Sequence, residues 1–151
     1  MLGKNARVFS NRGFTLIEIM VVVVIIGIMA SVISLNLLGN VDKTRVTKAK
    51  NDIMMFSNAL TMYNIDNNVY PSTEQGLKAL VEQPSNDPVP TAWQPGGYLK
   101  RNVIPNDPWD TPYIYRCPGD NGEDFVIISL GKDKREGGEG YNADIKSTDL
   151  K

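Results

Sequence analysis

The sequence contains no histidine and only one cysteine, Cys117. Without histidine, the chain lacks the commonest general base and the commonest protein ligand of transition metals. A single cysteine allows neither an intrachain disulfide nor a multi-cysteine zinc site. Cys117 is therefore predicted to be a small buried side chain in a strand rather than a nucleophile. These absences argue against the common histidine, cysteine and zinc enzymes.

A large net charge is also missing, because 16 basic and 17 acidic residues leave a formal charge of -1. This balance argues against a nucleic-acid partner bound by bulk electrostatic attraction. The charges are nevertheless unevenly placed along the chain. Lys4, Arg7 and Arg12 precede the first acid, Glu18, and the acidic residues concentrate after Asp107.

The longest charge-free stretch covers residues 19–38 and is rich in valine and isoleucine. As a helix it would be about 30 Å long, which matches the hydrocarbon core of a bilayer. A cleaved secretory signal fits less well, because the run is long and no A-x-A-like site ends it. The basic leader should stay cytoplasmic by the positive-inside rule. We therefore expect a single inner-membrane span with the C-terminal domain on the far side of the membrane, which is the periplasm if the source is a Gram-negative bacterium.

Glu18 is the one acid next to this apolar run, and an acid at membrane depth is costly. The cost is about 2.5–3.5 kcal/mol at the centre of a spanning helix and smaller near its end. Two explanations are open from the residues alone. The carboxylate either reaches the interface as an isolated charge, or it pairs with a cation on a neighbouring copy of the chain.

The residues around Glu18 resemble a known processing site. GFTLIE, from Gly13 to Glu18, is similar to the leader junction of type IV prepilins. The resemblance implies that prepilin peptidase cuts after Gly13 and methylates the new terminus at Phe14. It also implies that Glu18 pairs with the Phe14 amine of a neighbouring subunit during assembly. The expected segments are a leader at 1–13, a transmembrane assembly helix at 14–38 and a periplasmic domain at 39–151.

Beyond the membrane segment, the pattern predicts one long helix and then a small sheet. Apolar residues recur at steps of three and four until about Asp66, which indicates an amphipathic helix with one core face. Gly39 is its expected soft point. A second, short helix is predicted from the S-x-x-Q capping box at Ser72 to Pro84. The expected core positions of the long helix are Val46, Ala49, Ile53, Phe56, Leu60 and Tyr63.

The later half of the chain carries a proline-rich stretch and a hairpin signal. Residues 84–112 contain enough aromatic and aliphatic side chains to predict an ordered loop. Residues 113–117 and 124–130 are predicted strands, and the Asn-Gly pair between them is typical of a β-hairpin turn. A long helix followed by a small antiparallel sheet predicts an α+β fold.

Five motifs make the resemblance more specific. They are similar to the major pseudopilin of type II secretion systems, the general secretion pathway protein G family, within the type IV pilin-like superfamily. This chain departs from the pattern at Asp110, where the family commonly has glycine, and the local turn type is therefore open. The motifs are YPSTEQGL at 70–77, GYL at 97–99, DPW at 107–109, PY at 112–113 and SLGKD at 129–133.

The resemblance implies a non-enzymatic subunit of a homopolymeric helical filament, the periplasmic pseudopilus, which drives export of folded proteins across the outer membrane. The implied partners are minor pseudopilins, prepilin peptidase, the inner-membrane assembly platform and, indirectly, the outer-membrane secretin. The alternative is a type IV pilin of a surface or DNA-uptake fibre. Such pilins commonly close their C-terminal loop with a disulfide, which a single cysteine cannot form.

The segment LGKDKREGGEGYNADI at 130–145 combines glycines with four carboxylates. Those carboxylates belong to Asp133, Glu136, Glu139 and Asp144. The segment is either a solvated acidic loop or a Ca²⁺ site, because calcium takes six to eight oxygen ligands from carboxylates and carbonyls. Its spacing does not match an EF-hand. The family resemblance implies calcium, with Asp133 and Asp144 as side-chain ligands and the carbonyls of Leu130 and Arg135 as further ligands.

Overall fold

The computed structural model describes residues 13–150, and for residues 32–40 it describes only the helical backbone. The chain divides between Gly39 and Asn40 into two compact units. A single helix, α1 (Leu16–Asn67), contributes residues to both units. The regular elements after it are a 3₁₀ helix (Leu77–Leu80), β1 (Ile114–Arg116), β2 (Val126–Ser129), a 3₁₀ helix (Gly140–Asn142), β3 (Ile145–Lys146) and a 3₁₀ helix (Ser147–Asp149).

Helix α1 is 52 residues long and continues through Gly39. It ends at Asn67, one residue beyond the predicted end. Asn68 adopts a left-handed backbone with a φ of 58°. Its amide donates to the Asn64 carbonyl at 2.7 Å. Asparagine tolerates this conformation better than most residues, so Asn68 takes the place that glycine often has after a helix.

The second unit has its core against one face of α1. The predicted face is confirmed, with Val46 partly buried and the other five positions buried. Phe56 packs edge-on against Tyr113 with ring centroids 5.2 Å apart. Burying these side chains removes apolar surface from water, which is the main favourable term in folding. The buried apolar residues of α1, among those whose side chains are described, are Ala49, Ile53, Phe56, Ala59, Leu60 and Tyr63.

The sheet has three short antiparallel strands in the order β1–β2–β3. Ile114 lies opposite Ile128 and Arg116 lies opposite Val126, which confirms the predicted hairpin. Both predicted strands are shorter than expected. The third strand, β3, was not predicted from the sequence because only two residues form it. A long helix with this sheet is an α+β fold, as predicted.

The predicted short α-helix after Ser72 is wrong, although its capping box forms. The Ser72 amide donates to Gln75 Oε1 at 3.0 Å, and the Gln75 amide donates to Ser72 Oγ at 3.2 Å. Gly76 then adopts a φ of 59°, which is incompatible with a right-handed helix. The chain therefore makes a turn at 73–76 and continues only as the 3₁₀ helix Leu77–Leu80.

The proline-rich stretch has no helix or strand, yet several of its side chains pack on the core. Trp93 donates its ring N–H to the Ala79 carbonyl at 2.9 Å. Leu99 and Trp109 are buried. The stretch is therefore an ordered loop, as predicted. Cys117 differs from the prediction, because it is half-buried and follows β1 rather than lying within it.

Candidate functional site

Glu18 lies in the first turn of α1 and is exposed. Its amide donates to the Thr15 carbonyl at 3.1 Å and to Thr15 Oγ1 at 3.3 Å. Thr15 therefore caps the helix immediately before the turn that carries the carboxylate. Sequence reasoning missed this role, although T-x-x-E at 15–18 has capping-box spacing and signals such a helix start.

Gly13 and Phe14, which precede the capped start of the helix, are exposed. Phe14 is 80% exposed. A Cβ built on Gly13 would meet no atom within 4 Å. The predicted leader at 1–13 lies outside the described residues except for Gly13. Gly13 and Phe14 thus form an accessible peptide junction before the helix.

The apolar part of α1 is exposed on all sides within its own unit. Every large apolar side chain from Leu16 to Met29 is about half exposed or more, with exposures from 46% at Val22 to 81% at Leu16. Within the described residues, no helix is both long and apolar enough to span a membrane. The predicted span at 14–38 includes residues 32–38, whose side chains are not described.

The C-terminal loop at 131–144 is held closed by a small set of hydrogen bonds. The Asp144 amide donates to the Gly137 carbonyl at 3.2 Å, and the Gly137 amide donates back to Asp144 Oδ2 at 3.1 Å. Asp133 Oδ1 accepts the Arg135 amide at 3.1 Å. The two predicted carboxylate ligands therefore lie in one closed loop, each bound to its backbone.

Glycine is required where two backbone segments of this loop approach each other. Gly138 has a φ of 83°, and a Cβ there would lie 2.4 Å from the Asn142 carbonyl oxygen. Gly131 has a φ of 68°, and a Cβ there would lie 2.7 Å from the Ala143 carbonyl oxygen. A side chain at either position would push the loop open, so these glycines serve close backbone approach.

One atom of the loop indicates how a cation would fit. Asp144 Oδ1 is buried and has no hydrogen-bond partner among the described residues. A buried carboxylate oxygen without a partner is costly, and an oxygen-ligated cation would satisfy it. The described residues contain no group of three or more acidic, histidine or cysteine side chains placed to hold a metal. Backbone carbonyls, such as those predicted at Leu130 and Arg135, would have to complete the ligand set.

The other two acids of the loop play different parts. The Glu136 carboxylate lies 3.5 Å from Arg116 of β1. Glu139 precedes the 3₁₀ helix Gly140–Asn142 in an extended conformation. Arg116 also pairs with Asp120 in the hairpin turn at 2.6 Å. Glu136 therefore contributes to a surface ion-pair network that links the loop to the hairpin.

A buried aspartate, Asp107, fastens the proline-rich stretch to the end of β2. Asp107 is 4% exposed, and its Oδ1 accepts the amides of Trp109 at 3.1 Å and Thr111 at 2.8 Å. Its Oδ2 accepts the hydroxyl of Ser129, the last residue of β2, at 2.6 Å. Sequence reasoning found the DPW motif but not this role, because nothing local pairs residue 107 with residue 129.

Burial also changes the acid–base behaviour of Tyr113, which packs on α1. The pKa of Tyr113 is raised well above its usual value, mainly by burial and also by its hydrogen bond to Asp52. Tyr113 donates that bond at 2.9 Å, and the same carboxylate pairs with Lys48 on α1. The phenol therefore stays protonated and acts as a hydrogen-bond donor rather than as an acid or base.

Comparison with known proteins agrees with this architecture. A model of the family described as type II secretion system (T2SS), protein G matches residues 36–148. A model described as the prokaryotic N-terminal methylation motif matches residues 9–34. The second match overlaps the Gly13–Phe14 junction and Glu18.

Two curated relatives and one solved structure are similar over most of the chain. The type II secretion system core protein G of Vibrio cholerae is 53% identical over 136 residues, covering 90% of each chain. The protein of the same name from Pseudomonas aeruginosa is 50% identical, covering 93% of this chain and 96% of the relative.

The solved structure is the crystal structure of the major pseudopilin from the type 2 secretion system of enterohaemorrhagic Escherichia coli. It superposes with a TM-score of 0.65 at 40% identity, covering 76% of this chain and 96% of that chain. Of the two functions that the sequence left open, these matches support the secretion subunit rather than the surface pilin. The chain belongs to the protein G family of type II secretion systems and is a pseudopilin.

Proposed function

We propose that this pseudopilin is made as a precursor that is cleaved between Gly13 and Phe14. Prepilin peptidase hydrolyses this peptide bond and the new Phe14 amine is methylated. The observation that supports this proposal is the exposed, contact-free Gly13 beside an exposed Phe14, directly before the capped start of α1. The methylation-motif match over 9–34 supports the same junction.

The apolar segment of α1 then anchors the subunit in the inner membrane, with the second unit in the periplasm. Its large apolar side chains lack cover within their own unit, so they need an outside environment. A bilayer supplies it before assembly, and neighbouring subunits supply it within the filament. Minor pseudopilins, the inner-membrane assembly platform and, indirectly, the outer-membrane secretin are the further partners of this homopolymer.

Glu18 drives assembly through the Phe14 amine of the neighbouring subunit. Cleavage creates that cation four residues before the carboxylate, and the capped first turn holds the carboxylate at a defined place on the helix. In a water-poor filament interior, such a pair strongly favours one register over others, because an unpaired charge there is costly. The carboxylate is therefore an assembly contact rather than a contact that stabilises the fold.

The C-terminal loop would bind a Ca²⁺ ion, which would help its hydrogen bonds to keep it closed. The residues fit the ion, because the unpartnered Asp144 Oδ1 and the Asp133 carboxylate offer hard oxygen ligands. The carbonyls of Leu130 and Arg135 would complete the set. When bound, the ion would hold these oxygens together and remove the repulsion between the carboxylates. The chain's own part is to provide the closed backbone, which the glycines at 131 and 138 make possible.

Mass spectrometry of the mature N-terminus, together with electron microscopy of filaments, tests cleavage and assembly. We expect a chain that begins at methylated Phe14. Glu18→Gln should abolish filaments and secretion while the second unit keeps its melting temperature. Glu74→Gln, which neutralises an exposed acid of the second unit, is the control and should assemble normally. An intact Met1 would refute the cleavage, and normal filaments from Glu18→Gln would refute the pairing.

A further inference from the structure

Lys132 and Asp42 join the C-terminal loop to α1 across 90 residues of sequence. The Lys132 Nζ donates to Asp42 Oδ2 at 2.7 Å. The Asp42 side chain is only 13% exposed, whereas the Lys132 side chain is 49% exposed. The pair therefore has one buried acceptor and one half-exposed cation, which makes it worth more than a fully exposed surface pair.

The backbone of Lys132 is hydrogen-bonded within the closed loop. Its amide donates to the Tyr141 carbonyl at 3.1 Å, on the opposite side of the loop. Gly131 beside it approaches Ala143 so closely that only glycine fits. Lys132 also lies between Leu130 and Asp133, two of the proposed calcium ligands. Any change that opens the loop therefore moves the lysine that reaches Asp42.

Asp42 is the anchoring residue of the first helical turn after Gly39. It is the only buried residue in the range 41–45, and Val41 is 47% exposed. The next side chain of α1 that packs on the core is Val46. Gly39 itself disfavours helix by about 1 kcal/mol relative to alanine. This turn thus has little apolar packing of its own, and the bond from Lys132 to Asp42 links it to the C-terminal loop.

We propose that the Lys132–Asp42 pair transmits the order of the C-terminal loop to α1 next to Gly39. Closure of the loop fixes Lys132, and Lys132 then holds the helical turn at 41–45 against the second unit. This inference rests on the proposed calcium site in one respect, because calcium is the proposed means of closing the loop. The coupling itself requires only that the loop can be closed or opened.

Hydrogen exchange measured by mass spectrometry on the full chain in detergent micelles tests the coupling. The relevant amides are those of 43–47, whose helical hydrogen bonds reach back to the carbonyls of 39–43. In the wild type, calcium should slow exchange of both the loop at 130–144 and these helix amides, relative to chelator. In Lys132→Met, calcium should still protect the loop. The helix amides should exchange about fivefold faster than in the calcium-bound wild type, and calcium should not change their rate.

Lys134→Met is the matched control, because Lys134 lies in the same loop and its ammonium forms no ion pair among the described residues. It should behave as the wild type at 43–47. If Lys132→Met exchanges at the wild-type rate over 43–47 in both buffers, the coupling is refuted.

A second variant separates this inference from the calcium proposal. Gly138→Ala should open the loop without involving a metal, because its Cβ would collide with the Asn142 carbonyl. If the loop and Lys132 are coupled to the helix, Gly138→Ala should speed exchange at 43–47, and adding Lys132→Met should not speed it further. This result would support the coupling even if calcium has no effect on the wild-type loop. The coupling would be overturned if Gly138→Ala left the loop unprotected but the amides of 43–47 still exchanged at the wild-type rate.

Discussion

The two halves of α1 differ in where their apolar side chains lie. Between Leu16 and Met29 these side chains surround the helix, and all of the large ones are about half exposed or more. Between Ala49 and Tyr63 the buried apolar side chains follow one stripe, and Ile53 and Phe56 are 0% exposed. Both halves have helical backbone, but only the second half has a protein core to pack on.

This difference separates two sources of stability in one helix. The stripe after Gly39 is stabilised by the rest of its own unit, since burial of apolar area is what most favours the folded state. The all-round apolar half has no such partner within its own unit, and the proposed bilayer and filament neighbours would supply the missing cover. Mutations in the first half should therefore affect anchoring and assembly, and mutations in the second half should affect folding.

The largest expected effect that sharpens this comparison is a core truncation. Phe56→Ala should lower the free energy of unfolding of the second unit by about 3–5 kcal/mol, because it leaves a cavity against Tyr113. Val24→Ala, in the exposed half, should leave that free energy unchanged. Thermal unfolding followed by tryptophan fluorescence measures this, since both tryptophans, Trp93 and Trp109, lie in the second unit.

Met62→Ala is the control on the same helix, because Met62 is 52% exposed on the face away from the core. It should change the free energy of unfolding by about 0.5 kcal/mol or less. A loss from Val24→Ala as large as that from Phe56→Ala would contradict the division between the two halves.

The next largest loss of unfolding free energy is expected when a buried polar side chain of the second unit is removed. Asp107→Ala should cost about 3 kcal/mol, because it leaves two amides and the Ser129 hydroxyl without their acceptor in a buried site. Ser129→Ala removes only one of these bonds and should cost less. Urea unfolding of the full chain in detergent, followed by tryptophan fluorescence, gives both values. Equal costs for the two variants would show that the network does not centre on Asp107.

Removal of calcium should have a slightly smaller effect, and only on the second unit. A ligand that binds the folded state alone stabilises it by about 2.7 kcal/mol at a free concentration one hundred times its Kd. The wild type should therefore melt several degrees higher in calcium than in chelator, and magnesium should substitute poorly. Asp133→Ala should respond little to calcium, whereas Glu74→Ala should respond as the wild type. Identical melting of wild type and Asp133→Ala in both buffers would refute the site.

The smallest expected effect concerns a single backbone conformation. Asp110 has a φ of 62°, a left-handed conformation that glycine adopts more easily than other residues. Its Oδ1 accepts a bond from Asn106 Nδ2 at 2.9 Å, which partly offsets the strain. Asp110→Gly should therefore stabilise the second unit by about 0.5 kcal/mol, while Asp110→Ala, which keeps the strain and loses the bond, should destabilise it by about 1 kcal/mol. Chemical denaturation distinguishes these signs, and a more stable alanine variant would contradict the explanation.

Local spacing predicted much of the second unit correctly. The apolar stripe of α1, its end near Asn67 and the β-hairpin follow from periodicity and from turn residues within a few positions of each other. The same local reasoning failed after Ser72. The capping box formed as predicted, but Gly76 turned the chain out of the helical region. β3 was missed because two residues carry no periodic signal.

The proposed site shows the same limit. Its glycines and acids were recognisable in the sequence, as were Gly13, Phe14 and Glu18 at the leader junction. The unpartnered oxygen of Asp144 was not recognisable, because burial of one carboxylate atom depends on how the whole loop closes. The ion pair between Glu136 and Arg116 could not be predicted from the sequence either. It matters because Glu136 is then paired with an arginine and is not a free carboxylate that could bind the ion.

The sequence by itself determined the elements whose signals are local, namely a long helix with two different halves and a hairpin, and it predicted a processing junction at Gly13 and Phe14. Each of these depends on residues within about one helical turn or one strand pair of each other. Only the tertiary structure decided that Asp107 binds Ser129 and that Lys132 reaches Asp42 across 90 residues. Such contacts form when the chain closes a long loop, and the free energy of that closure depends on the packing of the whole unit rather than on any local spacing.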